Sequence, residues 1–254
     1  MKVTSKDLKI MAILLMLIDH IGYGLVRYCN YNIYPFVPSL YRDLRLIGRL
    51  SFPLFCFMLA EGFVYTSNRI KYLTRLVICF FISEIPYDLM CMREINYIKK
   101  TNVFMTLALG FICMWIIDYV LEKIKNPIIG LIVAAIMCIP AAALQHYIVV
   151  GDYGVVGMLA IVAIYLINRF FVADAIYYPL PTDNVKHVVA ITVAVIILAI
   201  PNNSELMALA DILPIALYNG KLGKMTKAMK YFAYIFYPLH ITIIVLLRVA
   251  VWGV

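Results

Sequence analysis

The chain has 254 residues, of which 65% are hydrophobic and only 14% charged, and its mean hydropathy is +0.93. A soluble domain is about half apolar and about a quarter charged, so this composition excludes a soluble enzyme or binding module and points to an integral membrane protein. The net charge of +8 and pI of about 9.1 would suggest nucleic acid in a soluble protein. In a membrane chain the same Lys and Arg residues are topology signals, and no nucleic-acid partner is expected.

Lipid leaves only helices or closed barrels as spanning structures, and the apolar runs here are long and continuous, without the alternation of barrel strands. The expected fold is all-α, a polytopic integral membrane helical bundle forming a single domain over residues 1–254. Nine candidate spans follow in order: 8–27, 45–66, 71–90, 102–121, 127–146, 152–170, 185–201, 205–219 and 231–252. The eighth is short for the ~20 residues that a crossing needs, so about nine means eight to ten. Lys2, Lys6 and Lys9 precede the first run as in a signal peptide. No small-residue cleavage site follows, and the run contains Asp19 and His20, so it reads as a retained first span.

With the N-terminus inside, the inner segments carry fourteen of the twenty-two basic residues, among them Arg69, Lys71, Arg75 and the group Lys221, Lys224, Lys227 and Lys230. The outer side carries Arg27, Arg42, Arg45, Arg49, Arg93, Lys99, Lys100 and Arg248. This bias favours N-in and C-out. The loop 28–44 is aromatic and reads as interfacial. Six cysteines mostly lie in apolar runs without CxxC spacing, and they read as small buried hydrophobes.

The stretch Lys9–His20, KIMAILLMLIDH, carries the most chemistry. Eleven residues on, at ~100° and ~1.5 Å each, His20 lies within about 20° of the face of Lys9 and roughly 16 Å further along the axis. Ionisable residues inside a span are costly and mark functional sites. Asp19 diverges from His20 by ~100°, so it is expected to pair with a cation on a neighbouring helix, Arg49 first. At similar depth lie Glu84, Asp88 one turn beyond it, Arg49 and His240, which together would form one polar cavity. Lys9, Arg69, Lys71 and Arg75 cluster at the inner mouth with Glu61, a set suited to an anion of phosphate character. His146 and His187 read as ordinary interfacial residues. No HExxH or paired-His spacing indicates a metal site.

The segments LKIMAILLMLIDHIGYG, then LRLIGRLSFPLFCFMLAEGFVYTSNRIKYLTRLVICFFISEIPYDL, then NVFMTLALG, resemble the TraX family. DYGVVGMLAIVAIY and YIFYPLHI extend the likeness toward the C-terminus. The family's namesake acetylates the N-terminus of conjugative pilin, and the family resembles a wider set of membrane acyltransferases that use cytoplasmic acyl-CoA. In that set a basic residue, ten intervening residues and a histidine mark the first helix, which Lys9 and His20 match; FYPLH, with His240, resembles its last-helix endings. The resemblance implies a multi-pass protein of the bacterial cytoplasmic membrane that moves an acetyl group from acetyl-CoA to an acceptor, a protein N-terminus, glycan or small molecule. It assigns Lys9, Arg75, Arg69 and Lys71 to the donor, and Arg49 and Asp88 to the acceptor. His20 becomes base or acyl carrier, with Asp19, Glu84 and His240 in support. The alternative is a proton-coupled permease with Asp19, His20, Glu84 and Asp88 as relay.

Overall fold

The computed structural model describes residues 2–93, 95, 100–170, 182–224 and 226–253, so Lys99 and the chain between Phe170 and Thr182 lie outside the described residues, as do the side chains of Lys227 and Lys230. The described residues form helices and no strand beyond isolated bridges. The chain is a helical membrane bundle. Among the described residues, five stretches are long and apolar enough to cross a bilayer: Ser5–Tyr28, Val37–Tyr65, Val103–Lys123, Pro127–Ile148 and Tyr231–Trp252.

Local signals set the helix ends. α1 (Ser5–Gly24) starts at a capping box in which Thr4 and Asp7 satisfy each other's backbone. α2 (Val37–Gly48) and α3 (Ser51–Tyr65) divide the expected span 45–66, with Arg49 and Leu50 at the break. α4 (Arg69–Cys91) is capped by Asn68, and α5 (Val103–Lys123) by Asn102. α6 (Pro127–Ala143) starts at Asn126 with proline in its first turn and runs into a π-turn over Leu144–Ile148. Its buried positions are Gly130 and Ala134, one turn apart, which leaves most of its apolar surface for lipid.

α7 (Gly154–Phe170), α8 (Thr182–Ala199), the short α9 (Ile212–Ala216) and α10 (Lys227–Trp252) complete the bundle. Between α8 and α9 the chain forms a 3-10 helix over nine residues, Asn203–Asp211. Its buried residues Glu205, Ala208 and Asp211 recur every third position, as three residues per turn require. At ~2.0 Å per residue instead of ~1.5 Å, such a segment covers about 18 Å where an α-helix would cover about 13 Å. That rise carries the short stretch 205–219 from Leu198 and Glu205 at one end of the bundle to Tyr218 at the other, where Tyr218 bridges Val3.

The end that carries Ser5 is called the N face, and the end that carries Gly24 the C face. Arg69 and Arg169 meet Asp118 at the N face, which brings together the start of α4 and the ends of α5 and α7. Arg248 donates to the carbonyls of Leu89 and Met90 at 2.8 and 3.0 Å and ties α10 to α4 at the C face. Phe57, Phe63, Phe111, Ile161 and Ile191 are buried between these ends.

Candidate functional site

α1 turns two successive side chains to different neighbours. Asp19 faces α2, where Arg45 forms an ion pair with its Oδ2. His20 faces α10, where its Nδ1 lies 2.6 Å from Nε2 of His240 and the rings stack at 4.9 Å. Nδ1 of His240 lies 2.6 Å from the carbonyl oxygen of Phe236. A carbonyl only accepts, so in the neutral ring Nδ1 of His240 carries the proton and Nε2 the lone pair. Nδ1–H of His20 therefore donates to His240, and the remaining lone pair of His20 is on Nε2.

His20 lines a C-face cavity of about 200 Å³ together with Asp19, Arg45, Arg49, Tyr87, Lys100, Asp152, Tyr153 and Glu205. Among the described residues its charges come in three pairs: Asp19 with Arg45, Glu205 with Arg49 at 2.8 Å, and Asp152 with Lys100 at 3.9 Å. The Tyr87 hydroxyl also donates to Asp152 at 3.0 Å, and Tyr153 stacks on Phe52 at 3.5 Å. Pairing lets six charges line a cavity inside an apolar bundle. Asp19 Oδ1 and Glu205 Oε2 are buried without a hydrogen-bond partner among the described residues. Each can accept from a ligand.

The expected Asp19–Arg49 pair is thus corrected to Asp19–Arg45. Gly48 lies directly against the Asp19 side chain, so the arginine one turn before the end of α2 spans the carboxylate. Arg49 stands past that end, at the break before α3, and reaches Glu205 on the 3-10 segment.

Glu84 and Asp88 are buried, but neither lines this cavity, so the single polar layer expected from depth is corrected too. Glu84 Oε2 accepts from the Asn102 backbone N–H at 3.1 Å and from its side-chain amide. The same amide donates to Phe80 O at 3.0 Å, while Asn102 Oδ1 accepts from Phe104 N–H at 3.0 Å. Glu84 therefore anchors the start of α5 against α4.

On the N face, Lys9 and Arg75 line a cavity of about 510 Å³ with Glu61, Tyr72 and Tyr234. Lys9 also lines a smaller apolar cavity of about 110 Å³ together with Met16 and Tyr237. The Tyr237 ring stands edge-on 5.8 Å from His20 and 5.7 Å from His240. Lys9 and His20 thus lie along one face of α1, with one aromatic ring between the apolar cavity and the histidine pair. Arg69 does not join Lys9. It pairs with Asp118 at 2.7 Å, lies 4.2 Å over the Phe63 ring and borders a separate cavity. Lys71 is exposed in the first turn of α4 and lines neither Lys9 cavity.

His187 is corrected from an interfacial residue to a buried one. It is 7% exposed, with Nδ1 3.0 Å from Asn168 Oδ1 and its ring edge-on to Phe57. Sequence reasoning did not single out Arg45, Lys100, Asp152 or Glu205 for the site. Asp152 opens the DYGVVG segment and Glu205 opens the short eighth span, and these were the available signals.

The model of the TraX protein family matches residues 4–248. Among curated proteins, the chain is similar to the probable fimbrial assembly protein FimC, serogroup H1, of Dichelobacter nodosus: 27% of residues are identical, over 94% of this chain and 93% of the relative. No solved structure matches. With nearly its whole length matched, the chain belongs to the TraX family.

Proposed function

We propose that this chain is an integral membrane acyltransferase that moves an acetyl group from acetyl-CoA, taken from the N face, to an acceptor hydroxyl or amine in the C-face cavity. The observation that carries the reading is the position of His20. It borders the charge-paired cavity on one side and, across the single ring of Tyr237, the apolar cavity that begins at Lys9.

Lys9 and Arg75 suit the phosphates of the donor, and the small apolar cavity suits its uncharged arm. The acceptor loses its proton to Nε2 of His20 as its oxygen or nitrogen attacks the thioester carbonyl. The new C–O or C–N bond forms, the C–S bond breaks, and the proton passes to the departing thiolate. Nε2 is also the atom that an acyl-histidine route would acylate. Asp19 Oδ1 and Glu205 Oε2 would accept hydrogen bonds from the acceptor. The name of the Dichelobacter nodosus relative supports an acceptor connected with pilus or fimbrial assembly.

In this reading the N face is cytoplasmic in the bacterial cytoplasmic membrane, and the chain crosses nine times, α2 and α3 together counting once and the 3-10 segment with α9 counting once. A proton relay through Asp19, His20, Glu84 and Asp88 has less support, because Glu84 is engaged by Asn102 away from the cavity of His20.

The test uses purified protein in detergent. Acetyl-CoA is expected to raise its unfolding temperature, and His20→Ala is expected to abolish acetyl transfer with the fold retained. No stabilisation by acetyl-CoA, together with full transfer by His20→Ala, would sink the proposal.

A further inference from the structure

A second cavity of about 540 Å³ opens at the N face beside the Lys9 cavity and shares Glu61, Tyr65, Tyr218 and Gly220 with it. Its volume falls in the ~300–1,000 Å³ range of small-molecule sites. Among the described residues, the cations Lys2, Arg69, Arg169 and Lys186 and the acids Glu61 and Asp118 border it. The two arginines are held in place. Asp118 accepts from Arg69 Nη2 at 2.7 Å and from Arg169 Nη1, while the Tyr165 hydroxyl donates to Asp118 at 2.7 Å. These bonds involve one nitrogen of each guanidinium, out of the five N–H donors that each carries. Both arginine side chains remain 31% exposed. At the junction of the two cavities Tyr65 is 74% exposed and offers a ring face.

A prepositioned pair of guanidiniums fits a phosphorylated ligand, and an exposed aromatic ring fits a planar base. The two cavities adjoin through this shared lining, and the Lys9 cavity in turn shares Lys9, Tyr72 and Tyr234 with the apolar cavity lined by Tyr237, so the row has a charged end and an apolar end. That arrangement suits a molecule with a phosphorylated nucleotide at one end and an uncharged arm at the other.

We infer that this second cavity seats the phosphorylated nucleotide end of the acyl donor, with Arg69, Arg169 and Lys186 as its phosphate donors. Lys9 and Arg75 then meet the phosphates that lead into the arm. The assignment rests on the acyl-transfer reading above.

Adenosine 3′,5′-bisphosphate, which has neither arm nor thioester, separates the two ideas. Calorimetric titration into the full chain in detergent is expected to show saturable binding. Arg169→Gln and, outside the Asp118 cluster, Lys186→Gln should each weaken it at least about tenfold, about 1.4 kcal/mol. Each should also raise KM for acetyl-CoA more than KM for its 3′-dephospho form. No binding of the bisphosphate, or binding that neither substitution changes, overturns the site even where acetyl transfer is intact. Bisphosphate binding in a protein that turns over no acetyl-CoA overturns the assignment to an acyl donor.

Discussion

His20 and His240 lie 220 positions apart in the chain and share one hydrogen bond of 2.6 Å. Because the Phe236 carbonyl accepts from Nδ1–H of His240, the bond can run only from His20 to His240 in the neutral pair, and it leaves the lone pair of His20 on Nε2. His240 is thus a positioning residue that selects the tautomer of the base. His240→Phe keeps a ring against Phe236 but removes the acceptor, and kcat is expected to fall at least about tenfold, ~1.4 kcal/mol of barrier. His240→Gln can still accept from Nδ1–H and should fall less, whereas His20→Ala should lose ~10²–10⁴-fold, the usual share of general acid–base catalysis. KM for acetyl-CoA should hold in all three. Equal rates for the Phe and Gln variants would exclude the tautomer role.

The Asp19–Arg45 pair makes a different demand. Both side chains are about four-fifths buried, at 17% and 22% exposure, so removing the arginine leaves a largely buried carboxylate without its cation. Hydrogen bonds to charged groups are worth ~1.5–3 kcal/mol, and Arg45→Ala should lower stability by about that much. Asp19→Asn in the same chain should recover part of the loss, with a coupling of ~0.5–3 kcal/mol. Thermal unfolding of the four proteins in one detergent reads this directly. Simple additivity would show that the pair makes no energetic contact.

The helices were legible because apolar length and capping residues are local. Asn68, Asn102, Asn126 and Thr226 all cap the helices that follow them. The Lys9–His20 face was legible for the same reason, since spacing along one helix fixes it. Partner choice was not. Arg45 and Arg49 are one turn apart, and which of them meets Asp19 depends on how closely α2 approaches α1 at Gly48. Glu84 has the depth of a site residue, yet depth says nothing about azimuth, and its side chain turns to Asn102. The stretch 205–219 looked short because an α-helical rise was assumed, whereas the 3-10 winding of Asn203–Asp211 covers more length per residue.

Glu84 offers a direct contrast with the histidine pair. Its acceptor oxygen holds the Asn102 backbone N–H and amide, and a glutamine carbonyl can accept the same bonds. Glu84→Gln is therefore expected to retain near wild-type transfer and stability. Glu84→Ala leaves buried donors without a partner and should cost about 1–3 kcal/mol. A Glu84→Gln protein that folds normally but transfers no acetyl group would return Glu84 to the chemistry.

Gly48 tests the geometry on which the C-face cavity depends. A Cβ added there falls on the Asp19 side chain, at a helix contact where small residues allow backbones to approach. Gly48→Ala must push α2 outward, a strain of ~1–3 kcal/mol for an overpacked contact, and it moves Arg45 away from its carboxylate. Stability and kcat should therefore fall together. Gly62→Ala is the matched control: its Cβ would come 2.9 Å from the hydroxyl end of Tyr72, at the N-face cavity. A tyrosine ring can swing aside, so this variant should lose less stability and change KM for the donor before kcat. If Gly48→Ala unfolds no earlier than Gly62→Ala, then α1 and α2 do not meet through Gly48, and the Asp19–Arg45 pairing loses its physical basis.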